Sequence, residues 1–151
     1  MTRENREYLQ RLPLTSTQGS AFLVHASPAC PRDWEYLLDR FDAEPQFHYF
    51  NEPVCFIGHT HQPAVYMADP SGCKSLPLSD VTLEPDRRYI INVGSVGQPR
   101  DNNPKAAYVA YDMDEGSIEL RRLDYDIAKA QKKILQAGLP QRLAERLSFG
   151  K

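Results

Sequence analysis

The run Gly58-His59-Thr60-His61 places two histidines one residue apart, directly after the apolar stretch Val54–Ile57. In an extended backbone, side chains at positions i and i+2 point to the same face, roughly 6–7 Å apart. Neutral imidazole is the commonest metal ligand among protein side chains. The spacing therefore predicts a metal site at the end of a strand. A chance His-x-His in a surface turn is the alternative that the pair alone leaves open.

A third histidine, His25, follows another apolar stretch, residues 21–24. Two short strands that each present histidine at the carboxyl end indicate neighbours in one sheet, and α/β proteins bind ligands at that edge. Three imidazoles could hold one zinc ion and leave a position open for water, which becomes a nucleophile near neutral pH. His25, His59 and His61 are therefore the candidate metal ligands.

Two metal ions would need more ligands than three histidines, because ions about 3.5–4 Å apart are normally bridged by a carboxylate. Asp69, Asp80 and Asp112 lie at predicted turns or strand edges, and none follows an apolar strand as the histidines do. The sequence also lacks a phosphate-binding Gly-Lys-Ser/Thr loop. Val93 stands where a Gly-x-Ser-x-Gly nucleophile motif needs its first glycine. Metal-dependent chemistry is thus favoured over nucleophilic catalysis.

Length and composition narrow the class of protein. The chain has 151 residues, of which 41% are hydrophobic and 25% charged, as expected for one soluble globular domain, residues 1–151. The net charge of -2 and the absence of a dense basic stretch argue against nucleic-acid binding. No apolar run approaches the roughly 18 residues that cross a bilayer, so we expect no membrane association. Three cysteines at unrelated spacing favour a reducing cytoplasm.

The hydrophobic pattern predicts an α/β chain. A helix is expected after Pro31, because apolar side chains recur at the spacing of a buried helix face in Trp34, Leu37, Leu38 and Phe41. The other predicted helices are residues 5–12, residues 126–137 and a short segment with Leu143 and Leu147. The predicted strands are residues 21–24, 54–57, 64–68, 76–83 (an edge strand), a strand from residue 88, 106–113 and 117–123.

A glycine-rich loop follows the strand that begins at residue 88 and supplies the candidate substrate-binding residues Gly94, Ser95 and Arg100. Its glycines allow a ligand to approach the backbone closely, and the Arg100 guanidinium is suited to pair with a phosphate. The alternative is that the glycines only turn the chain and that Arg100 pairs with Asp101 or with a terminal carboxyl group.

Three motifs together resemble a known family. Gly58-His59-Thr60-His61 resembles the last metal-binding motif of the calcineurin-like metallophosphoesterases, and Val24-His25 resembles the histidine motif before it. The loop at residues 92–100 is similar to one in the bacterial phosphodiesterase or diadenosine tetraphosphatase-like branch of that family. The resemblance runs over essentially the whole chain and covers the family's C-terminal half.

The resemblance implies both a fold and a chemistry. The fold would be part of an α/β/β/α sandwich, with mostly antiparallel and mixed strands and a C-terminal helix. The function would be hydrolysis of phosphate mono- or diesters by two divalent metal ions: manganese, iron, zinc or nickel. By resemblance, His25 and His59 would bind one ion and His61 the other.

The family's remaining motifs are Asp-x-His, Gly-Asp with the bridging carboxylate, and Gly-Asn-His with the proton donor. None of them occurs before His25. We therefore expect the C-terminal portion of a domain, truncated or completed by another polypeptide and inactive alone. Uncovered strand edges would favour pairing with a second copy or with a complementing N-terminal polypeptide. Two alternatives stay open, a catalytically silent interaction module with this scaffold and a hydrolase with a single zinc ion.

Overall fold

The computed structural model of the chain describes residues 1–77 and 81–151, and its strands form two sheets. The larger sheet has six strands in the order β1-β2-β3-β7-β4-β5, and the smaller has three in the order β6-β9-β8. The strands are β1 Thr15–Gln18, β2 Ala21–Val24, β3 Val54–Ile57, β4 Ala64–Asp69, β5 Gly72–Leu76, β6 Val81–Thr82, β7 Arg88–Asn92, β8 Ala106–Asp112 and β9 Ser117–Leu123.

The central strands of the larger sheet are apolar on both faces because each face meets a core. In β3, Val54 packs with Ile118 of β9 in the core between the two sheets. Cys55 and Ile57 point the other way and pack with Phe47 in a second core. Strands buried on both faces appear in sequence as continuous apolar runs. The mixed two-sheet arrangement confirms the predicted fold class.

Among the described residues, no helix is long and apolar enough to span a membrane. The predicted helices near both ends of the chain are confirmed as α1, α3 and α4. The helical segments are α1 Arg3–Arg11, α2 Arg40–Ala43, a 3-10 helix Glu44–His48, α3 Ile127–Gln136, α4 Gln141–Glu145 and a 3-10 helix Arg146–Ser148.

The helix predicted after Pro31 is wrong. Trp34 has a φ of 56°, in the left-handed region, so the right-handed helix cannot run through it. The Asp39 side chain accepts hydrogen bonds from the amides of Phe41 and Asp42 and thereby starts α2 only at Arg40. Of the expected core stripe, only Leu37 is buried, whereas Trp34, Leu38 and Phe41 are exposed.

The edge strand predicted at residues 76–83 is also wrong in its bounds. β5 ends at Leu76, just before Pro77, which has no N–H to offer a neighbouring strand. β6 begins at Val81 and pairs with β9 of the other sheet. The middle of the expected strand and Asp80 lie outside the described residues.

Three adjacent strands, β2, β3 and β7, run parallel. Their carboxyl ends therefore meet at one edge of the sheet. Ile57 is in register with Asn92, and the Gly58 amide donates to the His25 carbonyl at 2.9 Å, one residue beyond the ends of β2 and β3. This parallel arrangement brings His25 beside the His59-Thr60-His61 segment, as the sequence predicts.

Candidate metal centre

The three predicted histidines line one cleft of about 480 Å³ at the carboxyl edge of β2, β3 and β7. The ring centres of His25 and His59 are 5.4 Å apart, with the rings steeply inclined. Two imidazoles on one tetrahedral ion, with metal–nitrogen bonds of about 2.0–2.1 Å, have ring centres roughly 5 Å apart. The spacing of His25 and His59 therefore suits one shared metal ion.

His61 is oriented by the loop that follows β7. Its Nδ1 donates to the Gln98 carbonyl at 2.9 Å, since a carbonyl oxygen only accepts. In the neutral ring, Nε2 then carries the free lone pair, which is the usual arrangement of a metal-binding histidine. The Arg100 amide donates in turn to the His61 carbonyl at 3.1 Å. Side chain and backbone of His61 are thus both held by residues 98–100.

The cleft favours neutral imidazoles. Burial lowers the pKa of His25, and the neighbouring His59 lowers it further. Burial also lowers the pKa of His61, with Arg100 contributing in the same direction and the Gln98 carbonyl opposing. Both shifts disfavour the protonated ring near neutral pH, and the unprotonated ring is the form that binds metals.

The expectation that His59 and His61 lie in an extended segment is wrong. β3 ends at Ile57, and the two histidines have φ of 63° and 62°, in the left-handed region. This conformation costs a non-glycine residue of order 1–3 kcal/mol and persists only where surrounding structure enforces it. Such strain concentrates at functional sites. The histidines meet because of this loop conformation, rather than because of strand periodicity.

Asn92, at the end of β7, enforces that loop conformation. It is 1% exposed, and its amide group donates to the Gly58 carbonyl at 2.6 Å and to Thr60 Oγ1 at 2.8 Å. Its Oδ1 accepts from the Gly94 amide at 3.0 Å. This role of Asn92 was not predicted from the sequence. The available signal was a polar side chain at the end of the apolar run of β7.

Gly94 and Ser95 lie in the cleft wall and shape the loop. Gly94 has a φ of 77°, and a Cβ there would come within 2.7 Å of Pro63 Cγ and 2.9 Å of Ala107 Cβ. Ser95 Oγ accepts from the amides of Gly97 at 3.2 Å and Gln98 at 2.9 Å. These contacts account for both residue types. Direct contact of either with substrate stays a prediction.

Arg100 is free to meet a ligand. Its expected competitor Asp101 pairs instead with Arg122, through both carboxylate oxygens. The Arg100 side chain makes no hydrogen bond or salt bridge with another described residue, and its Nε is buried without a partner. Its charge also contributes to the lowered pKa of His61. A guanidinium with unused donors therefore lies near the third histidine.

Two aromatic side chains cover the histidine pair. The Tyr36 ring stacks on His59 with centres 4.3 Å apart and an interplanar angle of 22°. The Trp34 ring centre lies 5.3 Å from His25 and 5.6 Å from His59. Stacking leaves the ring nitrogens of His59 accessible, because metal bonds lie in the imidazole plane. The apolar spacing predicted Trp34 in the core face of a helix, and Tyr36 was not predicted at the site.

Comparison with solved structures decides the fold. A crystal structure of a metallophosphoesterase from Sphaerobacter thermophilus matches this chain with a TM-score of 0.87 and 34% sequence identity, over 100% of this chain and 64% of that one. The chain has the metallophosphoesterase fold. The likeness supports the calcineurin-like resemblance, whereas the diadenosine tetraphosphatase-like branch stays a prediction.

Two archaeal proteins are also similar to this chain, one in structure and one in sequence. A hypothetical protein from Pyrococcus horikoshii matches with a TM-score of 0.70 and 22% identity, over 98% of this chain and 55% of that one. An uncharacterized protein from Methanocaldococcus jannaschii is 38% identical over 152 residues, 98% of this chain and 60% of that protein. The chain thus spans about 60% of that relative. No protein-family model matches it.

The cleft fits the imidazole part of a dinuclear centre and lacks the carboxylate part. Among the described residues, no group of three or more His, Cys, Asp or Glu side chains is arranged to hold one ion. The described lining of the cleft includes no Asp or Glu. Asp69 pairs with Lys74, and Asp112 accepts from the amides of the β8–β9 turn. The spacing of His25 and His59 suits one ion, and an ion bound there would need further ligands.

Proposed function

We propose that this chain contributes three histidines to the dinuclear metal centre of a phosphoesterase that hydrolyses phosphate mono- or diesters. His25 and His59 would hold one divalent ion and His61 the other, with manganese, iron, zinc or nickel all suited to imidazole. The observation that carries the proposal is the 5.4 Å separation of the His25 and His59 rings at the strand ends of a metallophosphoesterase fold. When bound, such ions polarise phosphoryl oxygens and activate water.

Arg100 is the proposed phosphate-binding side chain. Its donors are unused by the described residues, and guanidinium pairs with phosphate oxygens in a two-pronged geometry. Asn92 is the proposed positioning residue, because it ties the Gly58 and Thr60 loop to Gly94. These side chains would bind and orient the ester beside the ions.

We further propose that another polypeptide segment, or a second copy of the chain, supplies the bridging carboxylate, the proton donor and the other ligands. The described lining of the cleft includes no carboxylate. The relative from Methanocaldococcus jannaschii is longer than the part that this chain matches. The resemblance of residues 92–100 supports assignment to the diadenosine tetraphosphatase-like branch. Cys30, Cys55 and Cys73 are all free thiols, which supports a cytoplasmic location.

Metal-dependent hydrolysis by the protein expressed from the whole reading frame around this chain tests the proposal. Bis(p-nitrophenyl) phosphate and p-nitrophenyl phosphate serve as diester and monoester substrates after chelation and after addition of Mn²⁺. We expect hydrolysis only with metal, and a loss of about 100-fold or more in His59→Ala, since even outer-shell changes cost 10–100-fold. His48→Ala is the matched control, because His48 is exposed and does not line the cleft.

Two results would contradict the proposal. One is full hydrolysis after chelation. The other is an unchanged rate in His59→Ala with bound metal still present. A protein that folds but hydrolyses neither ester with any of the four metals would instead support the silent interaction module.

A further inference from the structure

Trp34 and Tyr36 expose large aromatic surfaces beside the proposed metal centre. Their side chains are 53% and 50% exposed. Aromatic rings of this size contribute most to stability when they are buried, so exposure at a cleft needs an explanation. Neither ring belongs to the two hydrophobic cores: the Trp34 ring contacts His25 and His59, and the Tyr36 ring stacks on His59.

The segment that carries these rings is anchored at both ends. The Ala29 amide donates to the buried Gln46 side chain at 3.0 Å, and the Cys30 amide donates to fully buried Ser27 Oγ at 3.3 Å. On the other side, Leu37 is 3% exposed and belongs to the second core. The exposed rings are therefore presented by a fixed backbone.

The backbone at Trp34 is itself strained. Its φ of 56° is rare for a bulky side chain, and such strain is maintained mainly at ligand-binding and catalytic sites. The predicted helix would have required a right-handed conformation at Trp34. The chain instead holds Trp34 beside His25 and His59.

The stacking geometry leaves room for another ring. One face of Tyr36 lies on His59, while half of the side chain stays open to solvent. Planar rings stack on such surfaces in an offset or edge-to-face manner. A ring seated there would lie next to His59, one of the proposed metal ligands.

We propose that Trp34 and Tyr36 form a subsite for a planar aromatic ring, so that the favoured substrates are phosphate esters that carry such a ring. This inference rests on the proposed function and narrows its substrate class. The shared chemistry is a ring close to a phosphate, and its two sources are a nucleobase in a nucleotide and a phenyl group in an aryl phosphate.

Calorimetric binding to the Mn²⁺-loaded protein from the whole reading frame tests the subsite. The probes are adenosine 5′-monophosphate, phenyl phosphate, glycerol 3-phosphate and inorganic phosphate. We expect at least one aromatic ester to bind about tenfold more tightly than glycerol 3-phosphate, and Trp34→Ala and Tyr36→Ala each to remove that preference. The stronger of the two aromatic probes identifies the source of the ring.

Controls separate the subsite from the metal centre. Trp34→Phe should keep most of the preference, and Tyr49→Ala should keep all of it, because Tyr49 is exposed but, unlike Trp34 and Tyr36, has no ring contact with His25 or His59. Inorganic phosphate should bind all these variants equally. Equal binding of aromatic and glycerol esters by the wild type would overturn the subsite and leave the phosphoesterase proposal standing. Failure of every phosphate probe to bind would overturn both.

Discussion

Two clefts of similar size differ in whether the charged groups beside them are paired. The histidine cleft has a volume of about 480 Å³, and a second cleft beside Asp69 has about 460 Å³. Beside Asp69, the charges are paired: Asp69 with Lys74 at 2.6 Å and with Arg87 at 3.1 Å. Next to the histidine cleft, Arg100 adjoins His61, and its side chain has no partner among the described residues. Cleft size alone would not distinguish them.

The contrast indicates which cleft can bind a charged ligand. The pKa of Asp69 is held well below its ordinary range by its hydrogen bonds from Lys74 and Ser71. Its binding capacity is therefore already used by the protein. The histidine cleft has strained backbone at His59, and the neighbouring Arg100 has unused donors; both features are typical of binding sites.

The largest expected effect is on metal binding. His59→Ala should weaken Ni²⁺ or Zn²⁺ binding by more than about 100-fold, because it removes one of two matched imidazoles. Trp34, the sole tryptophan, lies 5.6 Å from His59, so quenching of its fluorescence by Ni²⁺ reports occupancy. His48→Ala should quench like the wild type. Equal quenching of His59→Ala would place the metal elsewhere.

The next effect is on stability. Gly94→Ala should lower the free energy of unfolding by about 2 kcal/mol, because it combines a left-handed φ with a Cβ clash against Pro63 and Ala107. Gly97→Ala in the same loop should change it by less than about 0.5 kcal/mol, since a Cβ there meets nothing within 4 Å. Urea unfolding measures both. Equal effects would mean that Gly94 does not lock the cleft wall.

Replacing one arginine beside each cleft by alanine tests which cleft binds phosphate. Arg100→Ala should weaken inorganic phosphate binding by about tenfold and leave stability unchanged, because Arg100 has no described ion pair. Arg87→Ala should leave phosphate binding unchanged and lower stability by at most about 1 kcal/mol, because its ion pairs with Asp69 and Glu84 are partly exposed. Calorimetry and urea unfolding give the two readouts. The opposite pattern would reverse the assignment of the clefts.

The smallest expected effect is on the stability of the fold at acid pH. Because the folded-state pKa of Asp69 is depressed, its contribution to stability is present above its unfolded pKa and disappears as the pH falls below about 4. Asp69→Asn should remove that part of the acid dependence and lower stability slightly near neutral pH. Melting temperatures between pH 7 and pH 2 test this. An identical pH profile in the variant would show that the Asp69 pairs contribute nothing.

Much of the fold could be predicted because its strands have strong local signals. The strands Val54–Ile57 and Ala21–Val24 are continuous apolar runs. A glycine follows the first and a histidine follows the second. Their parallel neighbours follow from that burial. The convergence of His25 with His59 was predictable for the same reason.

Other parts of the site depended on tertiary contacts that no local pattern carries. The left-handed backbone of His59 and His61 is held by Asn92, which lies more than thirty residues away in sequence. The apolar spacing around Trp34 fits a helix, but the Asp39 cap and the anchoring of the loop override it. Tyr36 gave no signal because a single aromatic residue has no periodicity.

Anomalous X-ray scattering from crystals of the protein expressed from the whole reading frame, grown with Zn²⁺, would locate the bound ion. We predict a zinc peak in the histidine cleft within about 2.1 Å of one ring nitrogen each of His25 and His59. The proposed metal centre would be contradicted by a cleft without a zinc peak when zinc is in excess in the crystallisation solution. Zinc bound only at other side chains would contradict it as well.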